Sequence, residues 1–170
     1  MENQKFSILY VDDEPQNLVS FKVAFRRYYN IFTAQSGPEG IEILRNNKIS
    51  LIITDQRMPE MTGVQFLEQV TKEYPETVRM ILTGFSDVDA IIDAINTGRV
   101  FRYITKPWEP VELKMTLDNA CQLYYLQQNN KKLLDELQSK MEEQERILKL
   151  FQKYVPEEIV EKTLNAKGNS

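Results

Sequence analysis

The chain has 170 residues, 42% hydrophobic and 27% charged, with a formal net charge of −4. Length and composition suit one folded domain plus a remainder, not a disordered chain. One cysteine excludes a disulfide framework and a cysteine-rich zinc site; the absence of histidine excludes a Ser-His-Asp triad, a Cys-His pair, a His-ligated metal and a phosphoacceptor histidine.

Phe6–Val11 is a continuous apolar run and predicts a strand covered on both faces. Leu18, Phe21, Val23, Ala24 and Phe25 then mark an amphipathic helix. Ile31–Ala34 predicts a second strand, followed by a helix carrying Ile41, Ile43 and Leu44. Leu51–Thr54 predicts a third strand, with Val64, Phe66, Leu67 and Val70 on the next helix. Val78–Thr83 predicts a fourth strand, and Val88, Ile91, Ile92 and Ile95 a fourth helix. Val100–Thr105 predicts the fifth strand. Alternating strands and helices argue for an α/β fold with a parallel sheet and helices on both faces. Five of the six glycines and six of the seven prolines lie within residues 1–110, whereas 111–155 contain neither. That second stretch predicts one long helix.

In open parallel sheets the functional site lies at the carboxyl ends of the strands. Those ends read Val11-Asp12-Asp13-Glu14, Thr54-Asp55, Leu82-Thr83-Gly84 and Ile104-Thr105-Lys106-Pro107. Acids at one strand end are commonly plain solvated loop residues. Three aspartates, a hydroxyl and a lysine converging on one cleft are not. Three close carboxylates resist joint ionisation without a cation, and an all-oxygen site suits Mg2+. A carboxylate beside such an ion is able to attack phosphorus and form an aspartyl phosphate, with a lysine and a hydroxyl contacting the phosphoryl oxygens. No GxGxxG or GKS/T sequence is present to support a nucleotide site.

Across about residues 5–125 this pattern resembles the bacterial two-component response-regulator receiver domain. The motifs that carry the resemblance are Asp12-Asp13 after an apolar run, Asp55 followed by Met58-Pro59 and Gly63, Thr83-Gly84, Tyr103, and Lys106-Pro107. The resemblance implies a flavodoxin-like (βα)5 fold with sheet order 2-1-3-4-5. It implies Asp55 as phosphoacceptor, with Asp12, Asp13, Asp55 and the backbone carbonyl of Arg57 holding Mg2+. It implies that Thr83 follows the phosphoryl group, that Lys106 pairs with its oxygens, and that Tyr103 changes rotamer as Thr83 moves. It implies a cis Lys106–Pro107 peptide bond and a sensor histidine kinase as partner. The Arg57 side chain has three candidate places: beside Glu14, beside Glu60, or over the phosphorylation site. A receiver accepts a phosphoryl group and is not itself an enzyme.

Leu113, Leu117, Ala120 and Cys121 fit a fifth helix packed on the sheet. Beyond them Leu134, Leu137, Met141, Gln144, Leu148, Phe151 and Val155 keep alternating steps of three and four, an a/d heptad seam. Leu123, Leu126, Asn130 and Leu133 allow a second register with a slip near residue 133. A 40-residue helix runs about 60 Å, too long to bury itself on one small domain. The expectation is a receiver over 1–125, a homodimeric coiled coil over 126–155 and the start of a linker over 156–170. Phe151–Val160 is similar to the segment ahead of class III adenylate and guanylate cyclase domains. The cyclase's own residues are absent, so that output belongs to a longer parent protein. Phosphodiesterase, phosphatase and diguanylate cyclase outputs use similar linkers.

Two other readings compete. A haloacid-dehalogenase-like phosphohydrolase also forms an aspartyl phosphate, but its second aspartate two positions on is replaced here by Arg57. A phosphorylation-independent dimeric scaffold would not need Asp55, Thr83 and Lys106. A pI near 5.1 and about fifteen residues after the coiled coil argue against nucleic acid as a partner. No apolar run reaches membrane-spanning length and no signal peptide is visible, so the expected setting is the cytoplasm, without a membrane partner.

Overall fold

The computed structural model describes residues 5–154 and 157–168. The chain divides into two compact units, Met1–Gln127 and Gln128–Ser170. In the first unit, β1 (Ser7–Val11), α1 (Pro15–Phe25), β2 (Asn30–Ala34), α2 (Gly37–Asn46), β3 (Leu51–Asp55), α3 (Gly63–Glu73), β4 (Val78–Thr83), a 3-10 turn (Phe85–Asp87), α4 (Val88–Asn96) and β5 (Arg102–Thr105) follow in order. The helix α5 (Pro110–Tyr154) begins in this unit, and α6 (Glu157–Gly168) lies in the second.

All strand pairs are parallel, and the sheet order is β2-β1-β3-β4-β5. The flavodoxin-like order expected from the resemblance is therefore the observed one. Strand residues alternate between two apolar layers, as the period of two requires. Ile8, Tyr10, Leu51, Ile53, Met80 and Leu82 join Phe21, Phe25, Leu117 and Cys121 on one side. Leu9, Val11, Ile52 and Ile81 join Ile41, Phe66, Leu67 and Ile91 on the other. The central strands lack a polar face because helices cover both sides of the sheet.

Local signals set the helix starts. Pro15 opens α1, where a missing N–H costs nothing. Ser36 caps α2 by accepting from the Glu39 amide. Thr62 and Gln65 form a reciprocal capping box on α3.

On α5, Leu113, Leu117, Ala120, Cys121 and Tyr124 are buried against the first layer, and Leu123 packs beside them. Leu123, a candidate for the upstream seam register, thus contributes to the first unit's core. Burial pushes the Cys121 thiol up to about 12, with the Asp118 charge adding to it, so Cys121 is an inert buried residue.

In the second unit Leu134, Leu137, Met141, Leu148 and Phe151 of the predicted seam are exposed. Gln144, Leu148 and Phe151 share a cavity of 440 Å³ with Thr163, Leu164 and Lys167 of α6. Val155, the last residue of the expected seam, lies outside the described residues. Lys167 and Gly168 are the last two residues of α6.

Candidate functional site

The C-terminal ends of the strands bring the expected residues together. Asp55 ends β3, Thr83 ends β4, Asp12 and Asp13 follow β1, and Lys106 follows β5. Carboxylate oxygens of Asp12, Asp13 and Asp55 lie within 4.8 Å of one another. Lys106 Nζ is 2.9 Å from Asp55 Oδ1 and 3.6 Å from Asp12 Oδ2. Asp12 is fully buried and Asp55 nearly so.

Asp12 is held from several sides. Its Oδ2 accepts from the Tyr10 hydroxyl at 2.7 Å and from Asn17 Nδ2 at 3.1 Å. Its Oδ1 accepts from the Glu14 amide at 3.0 Å. Burial, then the Asp12 charge, hold the Tyr10 phenol far above its ordinary pKa, so it stays a donor.

Asp55 is raised above the ordinary carboxylate range. Burial is the main cause; Lys106 opposes it and Asp12 adds to it. Burial lowers the Lys106 ammonium, but its hydrogen bond to Asp55 and the charges of Asp55 and Asp12 outweigh that and raise it. Lys106 is therefore a fixed cation between two acids. Every side-chain donor in the cluster is oxygen, the chemistry of a hard divalent cation.

The loop after β3 is tightly built. Gly63 donates its amide to the Gln56 carbonyl at 3.0 Å, and the Val64 amide donates to Gln56 Oε1 at 3.0 Å. A Cβ on Gly63 would lie 2.4 Å from the Asp55 carbonyl oxygen. The glycine is demanded by close approach of α3 to the Asp55 backbone. Gln56, whose role the sequence did not reveal, is buried and caps this turn.

Thr83 is buried, and its hydroxyl donates to the Gly84 carbonyl at 3.2 Å. Tyr103 pairs in register with Ile81, and Thr105 with Thr83. Residues two apart share a face, so Tyr103 lies on the same face as Thr83; it is exposed. The Lys106–Pro107 bond is cis. Arg57 pairs with neither Glu14 nor Glu60, two of its candidate places. Its guanidinium reaches Asp87 at the end of the 3-10 turn, with contacts of 2.7 and 2.9 Å. β3 and β4 are adjacent strands, so their following loops meet across thirty residues of sequence. Among the described residues, no helix is long and apolar enough to cross a membrane.

Comparison with known proteins agrees with this geometry. The family described as response regulator receiver domain matches residues 8–118. The hydrogenase transcriptional regulatory protein HoxA of Bradyrhizobium diazoefficiens is 36% identical over 121 residues, 71% of this chain and 25% of its own length. The chain thus spans about a quarter of the curated relatives it matches. That relative is a transcriptional regulator, so the comparison lends nothing to the expected absence of a nucleic-acid partner. Among solved structures, an uncharacterized protein from Neptuniibacter caesariensis is 39% identical with a TM-score of 0.72, covering 75% of this chain and 96% of that one. An adenylate cyclase from Rhodopirellula baltica is 30% identical with a TM-score of 0.75, covering 77% of this chain and 98% of that one. With the sheet order, the acid cluster and the lysine in place, the family match over most of the first unit settles that the chain belongs to the response regulator receiver domain family.

Proposed function

We propose that Asp55 accepts a phosphoryl group from the phosphohistidine of a sensor histidine kinase, and that this chain relays the change to an output. The observation that supports this best is the seat of Asp55: a nearly buried carboxylate 2.9 Å from a lysine ammonium, in a three-acid cluster. An Asp55 oxygen bonds to phosphorus as the bond from phosphorus to the donor imidazole nitrogen breaks, and the electron pair stays on that nitrogen. Lys106 orients the attacking carboxylate and neutralises charge on the phosphoryl oxygens. Asp12, Asp13, Asp55 and the backbone carbonyl of Arg57 are the groups that would hold Mg2+. When bound, Mg2+ supplies positive charge that offsets carboxylate repulsion and the phosphoryl oxygens.

After transfer, the Thr83 hydroxyl turns from the Gly84 carbonyl to a phosphoryl oxygen. Tyr103 follows on the same sheet face. The Arg57–Asp87 pair joins the phosphoacceptor loop to the loop that Thr83 moves. Incubation with acetyl phosphate and Mg2+ is expected to add the mass of one phosphoryl group to the intact chain. EDTA in excess is expected to prevent it. Equal labelling in both conditions would overturn the metal's part, and labelling in neither would overturn the acceptor's.

The division into a receiver over 1–125, a coiled coil over 126–155 and a linker over 156–170 belongs to the same reading. The exposed seam Leu134, Leu137 and Met141 supports homodimerisation. Analytical ultracentrifugation is expected to give a dimer for the wild type and a monomer for Leu137→Lys. A wild-type monomer at high concentration, or a dimer unchanged by the lysine, would contradict it. A nucleotide cyclase output in a longer parent draws support from the likeness to the Rhodopirellula baltica adenylate cyclase.

A further inference from the structure

Tyr10 is an aromatic alcohol in a strand position that needs neither property. It is 1% exposed, in a layer shared with Ile8, Ile53, Phe21 and Phe25. Its ring packs on Phe21 at 4.4 Å between centroids. An aliphatic or phenylalanine side chain would fill that place. A buried hydroxyl costs stability unless it is paired, and this one is paired with Asp12 Oδ2 at 2.7 Å. The period of two carries the ring up the same sheet face on which Asp12 emerges.

The donors around Asp12 are unevenly shared. Oδ2 faces Tyr10, Asn17 and, at 3.6 Å, the Lys106 ammonium. Oδ1 meets the Glu14 amide. A carboxylate oxygen has about two lone-pair sites, so Oδ2 is saturated and the remaining capacity of Asp12 is on Oδ1. Asn17 is the weaker anchor on Oδ2, because its amide also donates to Glu14 Oε2 at 3.2 Å.

We propose that Tyr10 is a positioning residue for the cation site: its hydroxyl engages Asp12 Oδ2, fixes the carboxylate and leaves Oδ1 for a divalent cation. This rests on the reading of Asp12 as a metal ligand. Without the hydroxyl, the carboxylate is held only by the Glu14 amide and the shared Asn17 amide and turns more easily. Its Oδ2, left with only the shared Asn17 donor, also draws Lys106 from Asp55 toward Asp12, placing a cation where the metal should bind.

The test is Mg2+ binding to the full chain by isothermal titration calorimetry, for wild type, Tyr10→Phe and Phe21→Leu. Loss of a hydrogen-bond partner behind a metal ligand weakens binding by about 10–100-fold, so Tyr10→Phe is expected to raise the Mg2+ Kd about tenfold or more. Its circular dichroism should match the wild type. Its labelling by acetyl phosphate should show a raised KM for Mg2+ and a maximal rate near normal at saturating Mg2+. Phe21→Leu loosens the same packing but keeps the hydroxyl, and is expected to bind Mg2+ like the wild type. Unchanged Mg2+ binding in Tyr10→Phe, or equal weakening in both variants, would overturn the proposal while the metal reading stands. A wild type that binds no Mg2+ would overturn both.

Discussion

Asp55→Asn is expected to abolish phosphoryl incorporation while the chain stays folded. The amide is close to isosteric, and its carbonyl oxygen still accepts from Lys106. It lacks the anionic oxygen that attacks phosphorus. The variant is also expected to change the pH dependence of stability. Burial and Asp12 raise the Asp55 carboxyl above its usual value of 3.8, against the pull of Lys106. A carboxyl whose pKa rises on folding binds its proton more tightly in the folded state. Stability therefore falls as pH rises from the unfolded value through the folded one. Asparagine has no such titration. In EDTA, thermal denaturation should show the wild type losing ground to Asp55→Asn as pH rises across this window. A difference that shrinks with rising pH would contradict the burial argument. Residual labelling of Asp55→Asn under the same conditions would contradict the assignment of the acceptor.

Gly63→Ala is expected to damage both stability and phosphoryl uptake. The new methyl would lie 2.4 Å from the Asp55 carbonyl oxygen and 3.1 Å from Gln56 Cα. Both are backbone atoms at the end of β3 and in the loop after it, so neither yields by rotating a side chain. The first turn of α3 must move off β3, at the expense of the Gly63 and Val64 hydrogen bonds to Gln56. Overpacking of this kind costs about 3 kcal/mol, which is a fall of roughly 10 °C in Tm for a domain of this size. Labelling should slow because Asp55 is displaced from Lys106. Gly37→Ala provides the contrast. Its methyl meets the Met61 sulfur at 2.5 Å, the far part of a flexible side chain. A smaller loss of Tm and near-normal labelling are expected there. Equal losses in the two variants would mean that backbone approach at Gly63 is not what matters.

The sheet was legible because buried parallel strands carry continuous apolar runs, and four of the five expected strands differ from the observed ones by one residue or none. The fifth begins at Arg102, two residues later than its apolar run. Val100 is instead used to close α4: its amide, like that of Arg99, donates to the Ala94 carbonyl. Its burial satisfies hydrophobicity without strand pairing. The acid cluster and Lys106 were legible because strand-end positions converge by topology. The Arg57 partner was not, because Asp87 meets it only through the adjacency of two loops. The Tyr10 hydroxyl was visible in the sequence, two residues before Asp12, but an aromatic in a buried strand reads as packing until its oxygen is placed. In the second unit, apolar spacing fixed the helix without fixing what covers its exposed side chains.

The most direct test is to find which atom of the chain carries the phosphoryl group. Wild-type protein is labelled with acetyl phosphate and Mg2+, reduced with borohydride to trap acyl phosphates, and mapped by peptide mass spectrometry. Modification confined to Asp55, with Asp12 and Asp13 unmodified, is the expected result. Modification at another carboxylate or at a hydroxyl, or none in folded protein with Mg2+ present, would contradict the assignment of Asp55 as the phosphoacceptor.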